Sequence, residues 1–515
     1  MDRGYRALSS SEKTKGKEKA ETMEASKIIT VEGEDKSSAA GGLSFGDIRA
    51  YASQRDEATD DLAKKMQKKI EDVHNKPHNY TAPKNISSVP ASTDDHDKKL
   101  YEPRAVAIGP YYRNMEDNNF DITYEHKLWC AEFIIGDCNK KNLAKFLGEM
   151  KKKEKAARDF CRQSYKTDYP NMDPQSFLEM LMLDSCFVLL VLSFHFDVAK
   201  VVDQFAIQLQ GPMPWALRDV VRASEFLKTD LLLRKNQIPY FIIVDAFKMV
   251  KEVNQGREPI IISLKEKGSI TEVAFEFFDT LGLGWSDFPL GLEKKVDSLL
   301  HLYYLSLGPK SLRSLSLIEI YRANFVTLDP RRSIPSATEL QEKSAMKFKA
   351  EKKAHSVLDV TCKNGVIRMP ALHVYDFTDI LLHNLIGYEQ PLSTMDSYIT
   401  AYVAFMVRMV RKEGDVELLE NSGVLEHGFT DSAEVVAFFR QLHNVIDRSK
   451  TPGYLDDLYT EVTNSYKNPW RRMYADAKKR YCSSVWVSIT VVAGVVLSVL
   501  TLIETIYAII GFYQS

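Results

Sequence analysis

The sequence predicts a mainly α protein: a helical globular domain with one small β-hairpin, followed by a single C-terminal transmembrane helix. Three observations carry this. Apolar residues recur at helical spacing between about Tyr101 and Arg440, one Asn-Gly turn stands between short alternating runs, and Val485 to Ile503 is apolar and uncharged. With 515 residues, 44% of them hydrophobic, the chain can bury a real core.

Residues 1–99 are rich in Lys, Glu, Asp, Ser and Ala and poor in apolar clusters, so the expectation there is a largely disordered region. One stripe departs from it. Leu62, Met66, Ile70 and Val73 recur at helical intervals, which fits either a docking helix or a nascent one. The first residues lack an apolar core, so they are not a secretory signal, and Asn79 and Asn85 head N-glycosylation sequons that stay unmodified in a cytosolic segment.

Residues 100–470 form the folded domain. Tyr124 to Ile135 and Lys141 to Tyr165 read as helices, with Lys151, Lys152, Lys153 and Lys155 on a solvated face. Pro174 to Phe194 is apolar on nearly all sides, and Glu179 and Asp184 mark it as a central core helix rather than a second span. Ala223 to Lys235 is a further helix, interrupted by Pro239 before YFIIVDAFKMV resumes. Leu358 to Thr361 and Val366 to Arg368 flank Asn364-Gly365 and predict the hairpin. Helices follow at Asp376 to Tyr388, Met395 to Lys412 and Ser432 to His443.

Residues 471–484 are a basic juxtamembrane segment with Arg471, Arg472, Lys478, Lys479 and Arg480, and residues 485–512 are the span. The uncharged run is roughly 28 Å long as a helix, close to the hydrocarbon thickness of about 30 Å. Trp486 falls at one interface and Tyr507, Phe512 and Tyr513 at the other. Glu504 sits at the far boundary, which favours a helix ending there. The basic side is expected in the cytosol, and a span so close to the C-terminus implies post-translational insertion as a single-pass, tail-anchored protein. Whether the membrane is the plasma membrane or an endomembrane stays open. Thr490, Gly494 and Ser498 fall four apart, a small-residue stripe suited to self-association, and Cys482 is a juxtamembrane thiol open to palmitoylation.

No catalytic or metal site is legible. The chain has no GxSxG, P-loop, HExxH, dinucleotide or EF-hand pattern, and Gly282-Leu-Gly284 reads as a turn. His373 with Asp376 is explained by Asp376 capping a helix, and buried Asp184 by a structural partner, for which Arg234 and Lys235 are candidates. A net charge of −2 gives no argument for nucleic acid, and the six cysteines lack CxxC spacing and are expected as free thiols. No cofactor is implied.

The blocks RAVAIGPYYR from Arg104, Glu125-His126-Lys127, MLMLDSCFVL, DLLLRKNQIPYFII, PSATELQEKSAMKFKA, NGVIRMPAL, LLHNLIGYEQ, ITAYVAFM and DVELLENSGVLE together resemble the plant family called domain of unknown function (DUF) 247, in order and over about residues 100 to 512. Tyr112-Arg113-Asn114, Ser185 and Arg234-Lys235 depart from the family's usual residues. The resemblance implies a plant-specific, mostly helical membrane protein without established enzymatic activity, with grass relatives acting as pollen-side determinants of self-incompatibility. The functional expectation is a non-enzymatic, membrane-anchored interaction or recognition protein. Its expected partners are the lipid bilayer, an unidentified protein and a second copy bound through the span. The alternatives are an enzyme of unrecognised mechanism with a pocket near Asp184 or His373, and a structural membrane scaffold.

Overall fold

The computed structural model describes residues 45–77, 100–113, 120, 122–136, 138–165, 171–193, 214–253, 268–283, 296–308, 334–391, 397–446, 453–481 and 485–514. Two compact units divide at Glu57, and the second, from Ala58 onward, contains the C-terminal part of a long helix. That helix, α1 (Phe45–His74), resolves the choice left by its apolar stripe. Leu62, Met66, Ile70 and Val73 are all buried and, with Ala63, join the main hydrophobic core. Polar contacts fix the helix at its rims. Lys69 reaches Glu179 (2.9 Å), His74 reaches Glu132 (2.7 Å) and Lys140 reaches Asp60 (2.7 Å).

The centre of the domain is α5 (Pro174–Ser193), onto which α2 (Tyr124–Ile135), α3 (Lys140–Lys152), α8 (Tyr240–Val253) and α9 (Ile270–Phe278) pack. Asp173 caps α5 by accepting from the Ser176 amide at 3.0 Å, and Pro174 takes the first helical position, where its missing N–H is not needed. From Phe177 onward every residue of α5 is buried, so a helix as apolar as a membrane span lies inside the protein.

The helix expected over Lys141 to Tyr165 is broken into α3 and α4 (Glu154–Tyr165) at Lys153, whose ammonium pairs with Asp245 on α8. The lysine run at the end of α3 complements the helix's negative end and favours a stop. The helix expected over Ala223 to Lys235 is likewise shorter. Helices α6 (Trp215–Arg222) and α7 (Ser224–Asp230) give way to turns, because side-chain amides replace helical bonds there. Asn236 donates to the Asp230 carbonyl (2.9 Å), and Gln237 donates to those of Leu231 (2.7 Å) and Leu233 (3.0 Å).

After α10 (Leu299–Ser306) and α11 (Ala337–Ser344), strands β1 (Lys347–Ala350), β2 (Thr361–Lys363) and β3 (Val366–Met369) form a sheet in the order β1-β3-β2. The β2–β3 pair is the expected antiparallel hairpin, with Asn364 at φ 52° and Gly365 at φ 68° forming its two-residue turn. The pairing of β1 with β3 is parallel, as is that of β4 (Leu372–Val374) with β5 (Leu425–His427). Between and around these strands lie α12 (Asp376–Glu389), α13 (Tyr398–Met409), α14 (Glu413–Asn421) and α15 (Ser432–Val445). Helix α16 (Asp456–Lys467) and α17 (Pro469–Tyr481) pack back on α11, and α18 (Val485–Gln514) follows.

Candidate functional site

The sequence blocks around Arg104, Lys127, Asp184 and Asp230 converge on one buried polar knot. Asp184, fully enclosed on α5, accepts from the Lys127 ammonium on α2 and from the Gly109 amide (2.7 Å). Burial pulls the Lys127 ammonium below its ordinary value, and Asp184 opposes the shift by favouring the charged form. Arg234 and Lys235 are therefore not its partners. Arg234 donates to the Gly387 carbonyl (3.2 Å) and Lys235 to the Tyr111 hydroxyl (2.6 Å). Gly109 stands at φ 75°, and a Cβ there would strike the Gln237 carbonyl, so the turn before Pro110 requires glycine.

Asp230 closes the other side of the same loop, accepting from the amides of Arg104, Ala105 and Val106 at 2.7–3.1 Å. Burial pushes its carboxyl up to about 6 against the pull of those three donors. Asn236 accepts from Ile108 (2.6 Å) and donates to the Val106 carbonyl (3.0 Å), while the Tyr165 hydroxyl donates to the Gln237 carbonyl (2.8 Å). His126 is enclosed beside Trp215. The Thr123 amide donates to its Nδ1 (3.1 Å), which leaves Nε2–H to donate to Asp219 (3.3 Å). These acids and bases are saturated by backbone and by one another, so their chemistry is to tie a loop to three helices.

A second satisfied carboxylate is Glu389, which accepts from the Ile399 and Thr400 amides (2.8 Å each) and the Thr400 hydroxyl (2.6 Å). Burial raises it to about 7. His373 does not meet Asp376. Its Nδ1 faces Glu426 at 3.1 Å across the β4–β5 pair, and Thr378, rather than Asp376, supplies the side-chain cap of α12, accepting from the Tyr375 amide at 3.0 Å. Among the described residues no group of three or more His, Cys, Asp or Glu is placed to hold a metal ion, and Cys130, Cys138, Cys161, Cys186 and Cys362 are free thiols. Cys482 lies outside the described residues.

The C-terminal helices carry the remaining candidates. Helix α18 continues past Glu504 to Gln514 instead of ending there. Its most apolar stretch, Val492–Gly511, is 0% buried with a mean hydropathy of 2.1, whereas α5, at 1.9, is 94% buried. Thr490, Gly494, Ser498 and Tyr507 are all exposed on it, with the Ser498 hydroxyl donating to the Gly494 carbonyl (2.8 Å). The helix containing Trp486 is described but that side chain is not. On α17 the basic residues separate. Arg471 donates to the Asn364 carbonyl of the hairpin turn and Lys479 lies 3.8 Å from Glu342, whereas Arg472, Lys478 and Arg480 are exposed. Arg472 and Arg480 border a surface groove of about 540 Å³ shared with Lys467, Met473 and Asp476. The exposed Trp470, Met473 and Tyr474 of this helix escape a motif search, although their i, i+3, i+4 spacing after Asn468-Pro469 is a readable amphipathic signal.

No solved structure matches this chain with significance. Among curated proteins, the UPF0481 protein At3g47200 of Arabidopsis thaliana is similar at 23% identity over 445 residues, covering 84% of this chain and 87% of that protein. The putative UPF0481 protein At3g02645 of the same plant is 23% identical over 192 residues, 37% of this chain and 35% of its own length. The family model described as a plant protein of unknown function, DUF247, matches residues 86–500, which include the loop, the helices that the buried knot joins and the start of α18. The chain belongs to the DUF247 family of plant proteins of unknown function.

Proposed function

We propose that this chain is a non-enzymatic, membrane-anchored protein that acts in protein interaction or recognition, with its helical domain on the cytosolic side. The observation that carries the reading is the bare apolar surface of α18. Exposed aliphatic surface costs about 25 cal/mol per Å² in water, and a 30-residue helix of this kind is stable when lipid covers it. At about 1.5 Å per residue it exceeds the hydrocarbon core of about 30 Å, so its surplus turns emerge on one side. Glu504 can then sit at the headgroups with Tyr507 and Tyr513 while Val485 and its neighbours span.

The saturation of Asp184, Asp230, Glu389 and His126 supports a structural rather than a catalytic use of the domain's buried polar groups. Alkaline carbonate extraction tests the anchor. The chain should stay in the membrane pellet, and release into the supernatant refutes it. A part in pollen self-recognition, which the family resemblance implies for grass relatives, is a special case of the same reading. Expression restricted to pollen supports that case, and expression confined to roots excludes it.

A further inference from the structure

Helix α17 stands three residues before α18 and presents two unlike faces. Its start is well defined. The Asn468 side chain accepts from the Trp470 (2.9 Å) and Arg471 (3.4 Å) amides, and Pro469 occupies the first helical position. One face is held by the domain, through buried Ala475, through Arg471 on the hairpin turn and through Lys479 beside Glu342 on α11. The opposite face is apolar, and among the described residues nothing pairs with it. Trp470, Met473 and Tyr474 fall at i, i+3 and i+4 and are 73%, 57% and 62% exposed.

Such a triplet on one helical turn has a Trp and a Tyr, the two residues that favour the lipid headgroup layer. Cations surround it. The helix carries five Lys or Arg side chains against the single carboxylate of Asp476, and Arg472 and Arg480 border the groove beside Met473 with Lys467 at its end. The connection 482–484 spans four Cα–Cα steps, at most about 14 Å, so the C-terminal end of α17 stays close to the membrane that holds α18.

We propose that α17 is an interfacial helix that lies in the headgroup layer of an anionic leaflet. Trp470, Met473 and Tyr474 enter the lipid interface, and Lys467, Arg472, Lys478 and Arg480 meet the lipid phosphates and carboxylates. The apolar face supplies insertion and the cations supply the preference for acidic lipid. Because α17 is also fixed to the hairpin and to α11, this contact sets how the whole domain sits on the membrane instead of leaving it to swing on a tether. The proposal rests on the reading of α18 as a membrane span.

The test uses the full chain reconstituted in vesicles of brominated phosphatidylcholine, with and without phosphatidylserine, and compares tryptophan quenching of the wild type with Trp470→Phe. The difference isolates Trp470. It should be quenched, more strongly with phosphatidylserine, and the double variant Arg472→Glu/Arg480→Glu should lose the phosphatidylserine-dependent part. An unquenched Trp470 in a chain that resists carbonate extraction overturns the interfacial helix and leaves the anchor standing. Equal quenching in both lipid mixtures overturns the anionic preference. Release of the chain by carbonate overturns the anchor, and this proposal with it.

Discussion

At the scale of single residues, the domain spends its ionisable side chains on internal ties. Lys127 and Asp184 form a buried pair, and such pairs are more sensitive to losing one member than both. Lys127→Met strands the Asp184 carboxylate and should lower stability by about 3–5 kcal/mol, whereas Lys127→Met with Asp184→Leu should recover part of that loss. Urea unfolding of the detergent-solubilised chain measures both, and a single variant as stable as wild type refutes the buried-pair account. Glu389 makes a pH prediction. Its folded value is pushed up to about 7 from an unfolded value near about 4.3, so its contribution is fully present below the unfolded value and is lost as pH rises through 7. Stability attributable to this group should therefore fall between about pH 4 and pH 7 and level off above, and Glu389→Gln should flatten that slope. An unchanged slope in Glu389→Gln would show that other groups govern it.

At the scale of elements, α1 and the hairpin illustrate what the sequence displays and what it hides. The α1 stripe is visible as periodicity, but whether it docks depends on the groove that receives it, formed by residues far along the chain. Met66 is fully buried there, and Met66→Ala should cost about 2–5 kcal/mol and make the segment near Lys64 and Lys65 cleavable by trypsin under native conditions. Retained resistance would mean that the groove collapses around the smaller side chain. The hairpin is legible because both turn residues need positive φ and Asn-Gly supplies them locally. The β1–β3 and β4–β5 pairings are not legible, since parallel partners lie far apart in sequence and carry no turn signal. The same contrast runs through the buried knot. The apolar setting of Asp184 announces a partner, but choosing Lys127 over Arg234 or Lys235 requires the loop that brings Gly109 and α2 beside α5. The helix break at Lys153 escapes for a related reason, because Asp245 supplies its ion pair from α8.

At the scale of the whole molecule, the proposed membrane orientation and self-association are argued from α17 and α18 together. If the proposed cytosolic placement of the domain, argued from the cations before Val485, is right, Asn79 and Asn85 should carry no glycan, and a shift in gel mobility on glycosidase treatment would reverse the topology. The proposed self-association through α18 would rest on the packing of small residues. Thr490, Gly494 and Ser498 align on one face of α18, and lipid offers no hydrophobic drive between helices, so close backbone approach must supply the attraction. Gly494 is a clean probe because a Cβ added there meets nothing within 4 Å, so a larger side chain disturbs neither the helix nor the domain of the same copy. Gly494→Leu should still insert, since leucine favours the bilayer, yet it should hold two helices apart. Resonance energy transfer between labelled copies in vesicles is then expected to fall toward the level of a non-interacting control. Transfer at the wild-type level would mean that the stripe faces lipid and that any oligomer is built by the helices of the domain.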